Sequence, residues 1–503
     1  MSLRKVPFPE AWPRFGGYFL FILLVLYAQA RVNADPDLWG YLAFGRLFWT
    51  AGQFPYQDVF SFVPTLNPWV YHEWLTGVVF YPLYRGLGDA GLQVLKYGLG
   101  LATVGLIYLT ARKRGASPWA AALFLLAIQG LLAPGYGAVR AQVFTYFFFA
   151  LTLYLLETAR LSGRWRGVGL LPLIIIPWGN FHGGFLSGLG LIAFYALGEA
   201  VSRRPFWPYA GTFALACLTT LVNPYGVEYW HYLARAVTMA RPQITEWASV
   251  FRAYQVGVMP ANYFLYTWAL ILFTFFLAWW ARWREITPAL SLVLVLLLGL
   301  KHSRHYVFFL LLAGAYMPLL LTRYLAEWKS RPLLGALSAA GAGKIPALLG
   351  AVLAVFLGYR FIMWDPLTLR IPPAPESGMV AETYYPVGAV AYIKERGLSG
   401  KLLIHFNWGE YALWSLYPQC RVALDGRFET VYPEEVAREY FDFFYGRAAW
   451  RQFLEHYSPE MILMDLKSRV SSLIQEDPQW RQIYADTGSA LFRRAENLPE
   501  MGR

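Results

Sequence analysis

The chain has 503 residues, of which 57% are hydrophobic, 18% are aromatic and only 15% are charged. A soluble protein of this length would carry about a quarter charged residues, so the composition argues against a soluble protein and for an integral membrane protein. The formal net charge is +12, but the basic residues cluster between apolar runs. That distribution is typical of cytoplasmic loops and argues against nucleic-acid binding.

Apolar runs of roughly membrane-spanning length predict about eleven transmembrane helices. Their approximate positions are 17–32, 91–111, 118–134, 141–159, 167–180, 184–200, 208–222, 263–281, 287–300, 304–322 and 345–362. Basic clusters such as Arg112–Arg114 and Arg282–Arg284 fall in alternate loops, which places the N-terminus inside under the positive-inside bias. An odd number of spans places the C-terminus outside. We therefore predict an α-helical polytopic protein of the cytoplasmic membrane.

The predicted domains are a transmembrane domain over residues 1–365, a Pro-rich linker over 366–386 and a soluble domain over 387–503. Helical and strand patterns alternate in the last segment, which predicts an extracytoplasmic α/β domain with a mainly parallel sheet. It lacks a Gly-rich phosphate loop after a strand, which argues against nucleotide binding. Both cysteines, Cys217 and Cys420, lie far apart in the chain and imply no disulfide framework.

Residues 33–90 form a large outer loop in this topology. A stripe of apolar residues from Asp37 onward predicts an amphipathic helix along the outer membrane interface. A second interfacial helix is predicted over the segment that carries His72 and Glu73. The aromatic residues that would anchor this segment at the interface are Trp69, Tyr71 and Trp74.

The unusual polar groups cluster on the predicted outer side. They include "NFHGG" at 180–184, "NPYG" at 223–226 and "KHSRH" at 301–305. The spans carry few charges near their middles, whereas an ion-coupled transporter would place ionisable groups near the bilayer midplane. The pattern therefore predicts chemistry at the outer surface.

An acidic pair just past the first span, Asp35 and Asp37, is followed by interfacial helices in a large first outer loop. This layout resembles that of the GT-C class of polytopic glycosyltransferases, which use sugars linked to polyprenyl phosphate. More closely, the chain is similar to a bacterial group of that class with DPD-aromatic, PW-x-x-HEWL, R-x-Q-x-FTY, N-x-HGG, NPYG and NWGGY…DGR motifs. The corresponding segments here are "DPDLW" at 35–39, "PWVYHEWL" at 68–75, "RAQVFTY" at 140–146, "NFHGG" at 180–184, "NPYG" at 223–226, "NWGEY" at 407–411 and "DGR" at 425–427. The resemblance covers almost the whole chain and identifies the group better than the reaction.

The resemblance implies a general base in the first outer loop, about one helical turn before an aromatic residue. Asp37, with Tyr41 four residues later, fits that position best. Asp35 is the alternative base, or a partner that tunes Asp37. A structural interpretation is also open, in which Asp35 caps the helix and Pro36 takes its first position. Both roles can coexist.

A departing lipid phosphate requires cations or hydrogen-bond donors near the membrane surface. The candidates at outer ends of spans are Arg140, Lys301, His302, Arg304 and His305. In the alternative, non-catalytic interpretation of the "KHSRH" turn, its side chains extend to the lipid headgroups. A dense basic turn on the outer side opposes the charge bias, and anion binding would explain that exception.

Other polar residues are predicted to line the substrate cleft or to bind the acceptor. The cleft candidates are Tyr41, His72, Glu73, Asn180, His182 and Asn223. Asp425 and Arg427 end a predicted strand and either bind the acceptor or form a structural ion pair. Carboxylates such as Asp35, Asp37 and Asp58, with His72 and Glu73, offer ligands for a divalent metal. No rigid ligand motif is present, so we predict no metal and no other cofactor.

The predicted function is a membrane glycosyltransferase. It would move a sugar from a polyprenyl-phosphate donor to a lipid, glycan or protein acceptor whose identity the sequence leaves open. Two alternatives remain: a lipid-glycan transporter or flippase, and a non-catalytic scaffold with the same fold. The clustering of polar groups on one side argues against the first alternative. The acids and the outer basic turn argue against the second.

Overall fold

A computed structural model describes residues 12–239, 245–329, 344–373 and 384–497. The chain divides into two compact units. The helical unit comprises Met1–Val32, Gln93–Val222 and Ala240–Thr368, and the sheet unit comprises Asn33–Leu92, Asn223–Met239 and Leu369–Arg503. Part of the predicted linker, residues 374–383, lies outside the described residues. The predicted division at residues 365 and 387 stays a prediction.

Helices dominate the chain up to residue 363. In chain order they are α1 (Trp12–Ala28), α2 (Pro36–Ala51), α3 (Trp74–Lys113), α4 (Pro118–Tyr136), α5 (Gln142–Ser162), α6 (Leu171–Phe181), α7 (Phe185–Val201), α8 (Trp207–Thr219), α9 (Glu228–Thr238), α10 (Val250–Gln255), α11 (Ala261–Trp280), α12 (Ile286–Lys301), α13 (Tyr306–Lys329) and α14 (Lys344–Met363). Helices α2, α4, α6 and α8 carry proline at one of their first two positions. Proline is tolerated there because those N–H groups lack intrahelical partners.

Each of the eleven predicted spans overlaps one of the helices α1, α3–α8 and α11–α14. Four segments of the described chain are long and apolar enough to cross a membrane, by length and composition. They are Trp74–Lys113, Gln142–Ser162, Ala261–Trp280 and Ser303–Trp328. The helices at the predicted positions are therefore confirmed, while the number of crossings stays a prediction.

A buried ionic network ties helices of the helical unit together. Arg114 pairs with Glu157 of α5 and, at 2.7 Å, with Glu285 at the start of α12. Arg160 of α5 lies 3.1 Å from Glu199 of α7 and 2.8 Å from Glu285. Only 2% of the Arg114 side chain and 4% of the Arg160 side chain are exposed. Because removing one member would leave a buried charge unpaired, the network fixes how α3, α5, α7 and α12 meet.

Helix α3 is interrupted at Gly88, where φ is 61° and ψ is −151°. This left-handed φ is accessible to glycine without steric cost. The predicted interfacial helix corresponds to the residues before that break. His72 and Glu73, however, lie in the turn that precedes Trp74 and not on the helix as predicted.

Helix α2 forms where the sequence predicts a helix. Its first half, however, lacks the exposed face that an amphipathic helix would have. Residues 38–45 are all buried. Two glycines permit this close packing: a Cβ on Gly45 would lie 2.1 Å from Gly77 O, and one on Gly40 would lie 2.3 Å from Glu410 Oε2. The amphipathic interpretation is therefore wrong for the first half of the helix.

Two predicted interfacial anchors are also buried within the sheet unit. Trp69 is 0% exposed and Tyr71 is 2% exposed. The indole Nε1 of Trp69 donates to Thr430 Oγ1 at 3.3 Å, and the guanidinium of Arg427 lies 5.1 Å from its ring centre. Trp69 therefore packs on protein groups, and its assignment as an interfacial anchor is wrong.

The C-terminal part of the sheet unit is an α/β structure. Its strands are β1 (Gly400–Ile404), β2 (Cys420–Val422), β3 (Met461–Asp465), β4 (Trp480–Ala485) and β5 (Ser489–Arg494), and its helices are α15 (Val387–Glu395), α16 (Gly409–Leu416), α17 (Phe428–Val431), α18 (Glu434–Phe444), α19 (Arg451–Tyr457) and α20 (Arg469–Gln475). The small sheet domain predicted from the sequence is thereby confirmed.

The strand order of this sheet is β2-β1-β3-β5-β4. Strand β1 pairs in parallel with β2 and β3, for example Leu402 with Val422 and Leu402 with Met461. Strand β5 is antiparallel to both β3 and β4. In the described residues the sheet is therefore mixed, and not mainly parallel, because the C-terminal hairpin adds both of its strands to one side of β3.

Residues 60–62, in the segment 33–90, continue the sheet at the β2 edge. Val422 N donates to Phe60 O at 2.9 Å, and Phe62 N donates to Val422 O at 3.1 Å. An open sheet edge presents unpaired backbone groups, and these bonds satisfy them. Residues 60–62 and the sheet consequently belong to one compact unit.

Candidate active site

Asp35 and Asp37 stand at the N-terminus of α2. Asp35 Oδ1 accepts a hydrogen bond from Asp37 N at 3.1 Å, and Pro36 follows as the first helical residue. This is the N-cap geometry that the sequence offered as one role of Asp35. Asp37 lies in the first helical turn and is partly exposed. Negative charge is favoured there by the helix dipole.

Glu410, at the start of α16, lies against the same part of α2. Its Oε2 accepts a hydrogen bond from Gly40 N at 2.9 Å, and the residue is only 3% exposed. A Cβ on Gly426 would lie 2.6 Å from Glu410 Oε1 and 3.3 Å from Asp37 Oδ1. Both carboxyl groups therefore lie near the position that a side chain at residue 426 would take, and such a side chain would require Glu410 to shift.

The environment of Glu410 disfavours its ionised form. Burial raises the pKa of Glu410 well above its ordinary value of 4.5, and the charges of Asp37 and Asp425 raise it further. Arg427 and the Gly40 N–H act in the opposite direction but do not offset these effects. Burial and neighbouring negative charges both favour the neutral form of a carboxyl group.

Asp425 and Arg427 form a buried ion pair after strand β2. Arg427 Nη2 donates to Asp425 Oδ2 at 2.6 Å, and Arg427 Nη1 donates to Asp58 in the segment 33–90. Tyr432 OH also donates to Asp425 Oδ2, at 2.7 Å, and therefore accepts a hydrogen bond from Ser61 Oγ at 2.9 Å. This is the ion-pair alternative of the sequence analysis. Acceptor binding by these two side chains stays a prediction.

Several predicted cleft residues belong to the sheet unit. His72 Nδ1 lies 3.0 Å from Tyr232 OH, its ring stacks on that of Tyr232, and its Nε2 lies 3.7 Å from Glu73 Oε1. Tyr41 is 2% exposed. Asn223 Oδ1 accepts from Tyr225 N at 2.7 Å, which closes a turn in the "NPYG" motif.

The remaining predicted residues belong to the helical unit. Arg140 lies 2.9 Å from Glu246 Oε1, and the guanidinium of Arg304 lies 4.8 Å from the centre of the Trp247 ring. The charge of Arg140 lowers the pKa of Glu246 to about 2, with a further contribution from Arg304, although burial acts against it. Both candidate cations therefore act on an acid that the sequence analysis did not identify.

The "KHSRH" turn is attached to the segment that contains this acid. His302 Nδ1 lies 2.8 Å from Trp247 O, and Ser303 N donates to Ala248 O at 2.9 Å. His305 stacks edge-on against Trp247. Lys301 ends α12 and is exposed. The turn is thus held by protein contacts, with Lys301 as its solvent-exposed cation.

Asn180 and His182 make buried hydrogen bonds within the helical unit. Asn180 Nδ2 donates to Val222 O at 2.9 Å. His182 Nδ1 accepts from Gly184 N at 2.9 Å and lies 2.8 Å from Thr145 Oγ1. An accepting Nδ1 places the ring proton on Nε2 in the neutral form. These contacts give both residues a structural role, and their role in a cleft stays a prediction.

Within the described ranges, no group of three or more His, Cys, Asp or Glu residues is arranged to hold a metal ion. The acids suggested as ligands instead have other partners: Asp58 binds Arg427, and Asp35 caps α2. The absence of a metal requirement stays a prediction.

No protein-family model matches the chain, and no curated protein sequence matches it. Its fold, however, matches two crystal structures of ArnT from Cupriavidus metallidurans. The structure bound to undecaprenyl phosphate aligns over 96% of this chain and 98% of ArnT, with 14% identity and a TM-score of 0.51. The apo structure aligns over 96% and 97%, with 15% identity and a TM-score of 0.50.

The chain has the GT-C membrane fold. The similarity extends over nearly the full length of both proteins, so it includes the membrane helices and the C-terminal sheet domain. This fold and the long apolar helices of the described residues both support a membrane location. At this level of identity the match shows the fold, while residue roles depend on the geometry of this chain.

Proposed function

We propose that the protein is a membrane glycosyltransferase that moves a sugar from a polyprenyl-phosphate donor to a lipid, glycan or protein acceptor. The proposal includes the predicted orientation, with the N-terminus inside and the reaction on the extracytoplasmic face of the cytoplasmic membrane. It is supported by the fold shared with ArnT, one structure of which holds undecaprenyl phosphate.

The observation that carries the proposal is the position of Asp37. Its carboxylate is partly exposed in the first turn of a helix that is otherwise buried around Gly40. The Asp35 cap and the Glu410–Gly40 hydrogen bond fix that turn. A base must be placed within hydrogen-bond reach of the acceptor hydroxyl, and a fixed, accessible carboxylate meets that requirement.

In the proposed reaction, the acceptor oxygen bonds to the anomeric carbon as the bond between that carbon and the phosphate oxygen breaks. The electron pair of the broken bond leaves on the phosphate, and the acceptor proton passes to Asp37. Arg140, Lys301, His302, Arg304 and His305 are the proposed cations and donors for the phosphate. No metal step is part of this proposal.

The proposal is tested by deleting the gene and comparing lipid-linked and envelope glycans with those of the parent. The wild-type gene should restore the missing product, and an Asp37→Asn gene should not. Asparagine retains the size of aspartate but cannot accept the proton, so turnover should fall by about 10²–10⁴. Asp35→Asn should be milder, because asparagine also caps helices well.

The reverse order of effects would make Asp35 the base. Equal expression of the variants, measured in the membrane fraction, is the control. If both variants restore the product at the wild-type rate, the acids only support the helix and the catalytic proposal fails.

A further inference from the structure

Arg427 is already engaged by two carboxylates other than Glu410. Arg427 Nε donates to Asp425 Oδ1 at 2.8 Å, its Nη2 donates to Asp425 Oδ2, and its Nη1 donates to Asp58. One positive charge is thus already shared between two carboxylates. Among the described residues, no lysine, arginine or histidine forms an ion pair with Glu410.

The geometry assigns different tasks to the two oxygens of Glu410. Oε2 accepts the Gly40 N–H, which any carboxyl oxygen can do. Oε1 lies on the side of Gly426, where a Cβ would meet both Oε1 and Asp37 Oδ1. A proton on this carboxyl is therefore best placed on Oε1, because Oε2 already accepts a hydrogen bond and Oε1 approaches a negative charge.

We propose that Glu410 is a neutral carboxylic acid that positions Asp37 by presenting its proton, on Oε1, towards that carboxylate. The role of Asp37 as base comes from the proposed function, and the inference rests on it to that extent. Glu410 keeps its proton throughout the transfer. It orients the Asp37 carboxylate, the proposed proton acceptor, without adding a negative charge beside it.

The charged and titratable groups that surround Glu410 are consistent with this state. Asp37 faces it from α2, and Asp425 and Arg427 face it from the segment after β2. The phenols of Tyr71 and Tyr385 also lie within its electrostatic influence. Burial and the two aspartates favour the protonated form of Glu410, as the direction of its pKa shift indicates.

Infrared spectroscopy of the full-length protein in lipid nanodiscs tests the proposal without a substrate. Glu410→Gln should remove one absorption band of a protonated carboxyl group at neutral pH. Glu435→Gln is the matched control, because Glu435 is exposed on α18, and it should leave that band intact. If Glu410→Gln retains every protonated-carboxyl band of the wild type, the proposal is overturned.

The contact with Asp37 has its own signature. The carboxylate band of Asp37 is assigned by difference from Asp37→Asn. It should shift in Glu410→Ala, which removes the donor, but stay near its wild-type position in Glu410→Gln, whose amide retains a donor and an acceptor. An Asp37 band unchanged in Glu410→Ala would overturn the positioning role.

Turnover then separates this inference from the proposed function. Glu410→Ala should be slower than Glu410→Gln by about 10- to 150-fold, the value of a hydrogen bond to a charged group, with an unchanged donor KM. Equal turnover of the two variants would overturn the inference, while loss of activity in Asp37→Asn would still support the proposed function. Full activity in Asp37→Asn would overturn the proposed function instead.

Discussion

Arg427 holds Asp425 through two parallel hydrogen bonds, from Nε to Oδ1 at 2.8 Å and from Nη2 to Oδ2 at 2.6 Å. The two side chains are 1% and 0% exposed. The remaining Nη1 binds Asp58, which lies 369 residues earlier in the chain. A bidentate pair of this kind is directional as well as strong. Together with the bond to Asp58, it fixes the segment around residue 58 to the end of strand β2 within the sheet unit.

Arg427→Met should therefore destabilise the protein strongly. Methionine fills much of the same volume but leaves Asp425 and Asp58 buried without a cation. Breaking a buried ion pair on one side costs about 3–5 kcal/mol. The measurement is the free energy of unfolding in detergent, followed by circular dichroism.

Arg447→Met is the matched control for that measurement. Arg447 pairs with Asp442 at 2.6 Å, but its side chain is 55% exposed. Exposed ion pairs contribute about 0–1 kcal/mol, so this variant should unfold almost like the wild type. Similar losses in both variants would show that the buried pair has no special structural role.

Gly45→Ala should also destabilise the protein, although alanine is the better helix former by about 1 kcal/mol. A Cβ on Gly45 would lie 2.1 Å from the carbonyl oxygen of Gly77, a backbone atom that cannot rotate away. Overpacking of this kind costs about 1–3 kcal/mol. In Gly86→Ala the new Cβ meets nothing within 4 Å, so that variant should be neutral or slightly stabilised. If Gly45→Ala stabilises the protein, α2 and α3 must lie farther apart than this distance indicates.

The stability of the protein should fall with rising pH through Glu410. Because burial raises the pKa of Glu410 in the folded state, the folded protein retains a proton that the unfolded chain releases above about pH 4.5. The unfolding free energy then decreases from that pH up to the folded-state pKa, by at most about 1.4 kcal/mol per pH unit. Glu410→Gln removes this contribution. The unfolding free energy of the variant should therefore rise relative to that of the wild type as the pH increases.

The same pH series distinguishes Glu410 from an ordinary carboxyl group. Glu435→Gln should follow the wild-type slope, because that side chain is exposed on α18. A Glu410→Gln curve parallel to that of the wild type from pH 5 to 8 would mean that Glu410 is already ionised in the folded protein.

The membrane helices and the sheet domain were predictable because each depends on local patterns. Long apolar runs such as 263–281 produce helices wherever they lie, and the "LLI" segment of β1 is buried on both faces. The amphipathic interpretation of α2 failed for a different reason. Which faces of a helix are buried depends on partners such as α16 that lie more than 350 residues away in the chain.

The same distinction between local sequence patterns and contacts distant in the chain applies to the acids at the candidate site. Asp37 was accessible to sequence analysis through its position after the first span. Glu410 could not be identified in this way. The "NWGGY" motif of the similar proteins has glycine at that position, and the residue lies in a domain predicted to be separate. Glu246 carried no signal at all, because a single acid in "ITEWAS" gains its meaning only from its proximity to Arg140.

The predicted topology has a direct test. Reporters fused after Arg114 and Arg284 should be active in the cytoplasm, because both positions follow basic clusters that the positive-inside bias retains there. A fusion near Ser377, in the part of the linker outside the described residues, should be active on the other side. A cytoplasmic reporter at Ser377 would place the C-terminal domain inside and remove the basis for an extracytoplasmic reaction.

Binding of the donor phosphate can be tested at Arg304 and at the acid beside it. Arg304→Ala should weaken binding of a polyprenyl phosphate by about 10- to 150-fold, through loss of one charged hydrogen-bond partner. Glu246→Gln should strengthen it, because this acid attracts both Arg140 and Arg304 and competes with a phosphate for them. Arg284→Ala, in a loop predicted on the opposite side, is the control. If Arg304→Ala binds the lipid as tightly as Arg284→Ala, the "KHSRH" turn is only a structural and headgroup-facing element.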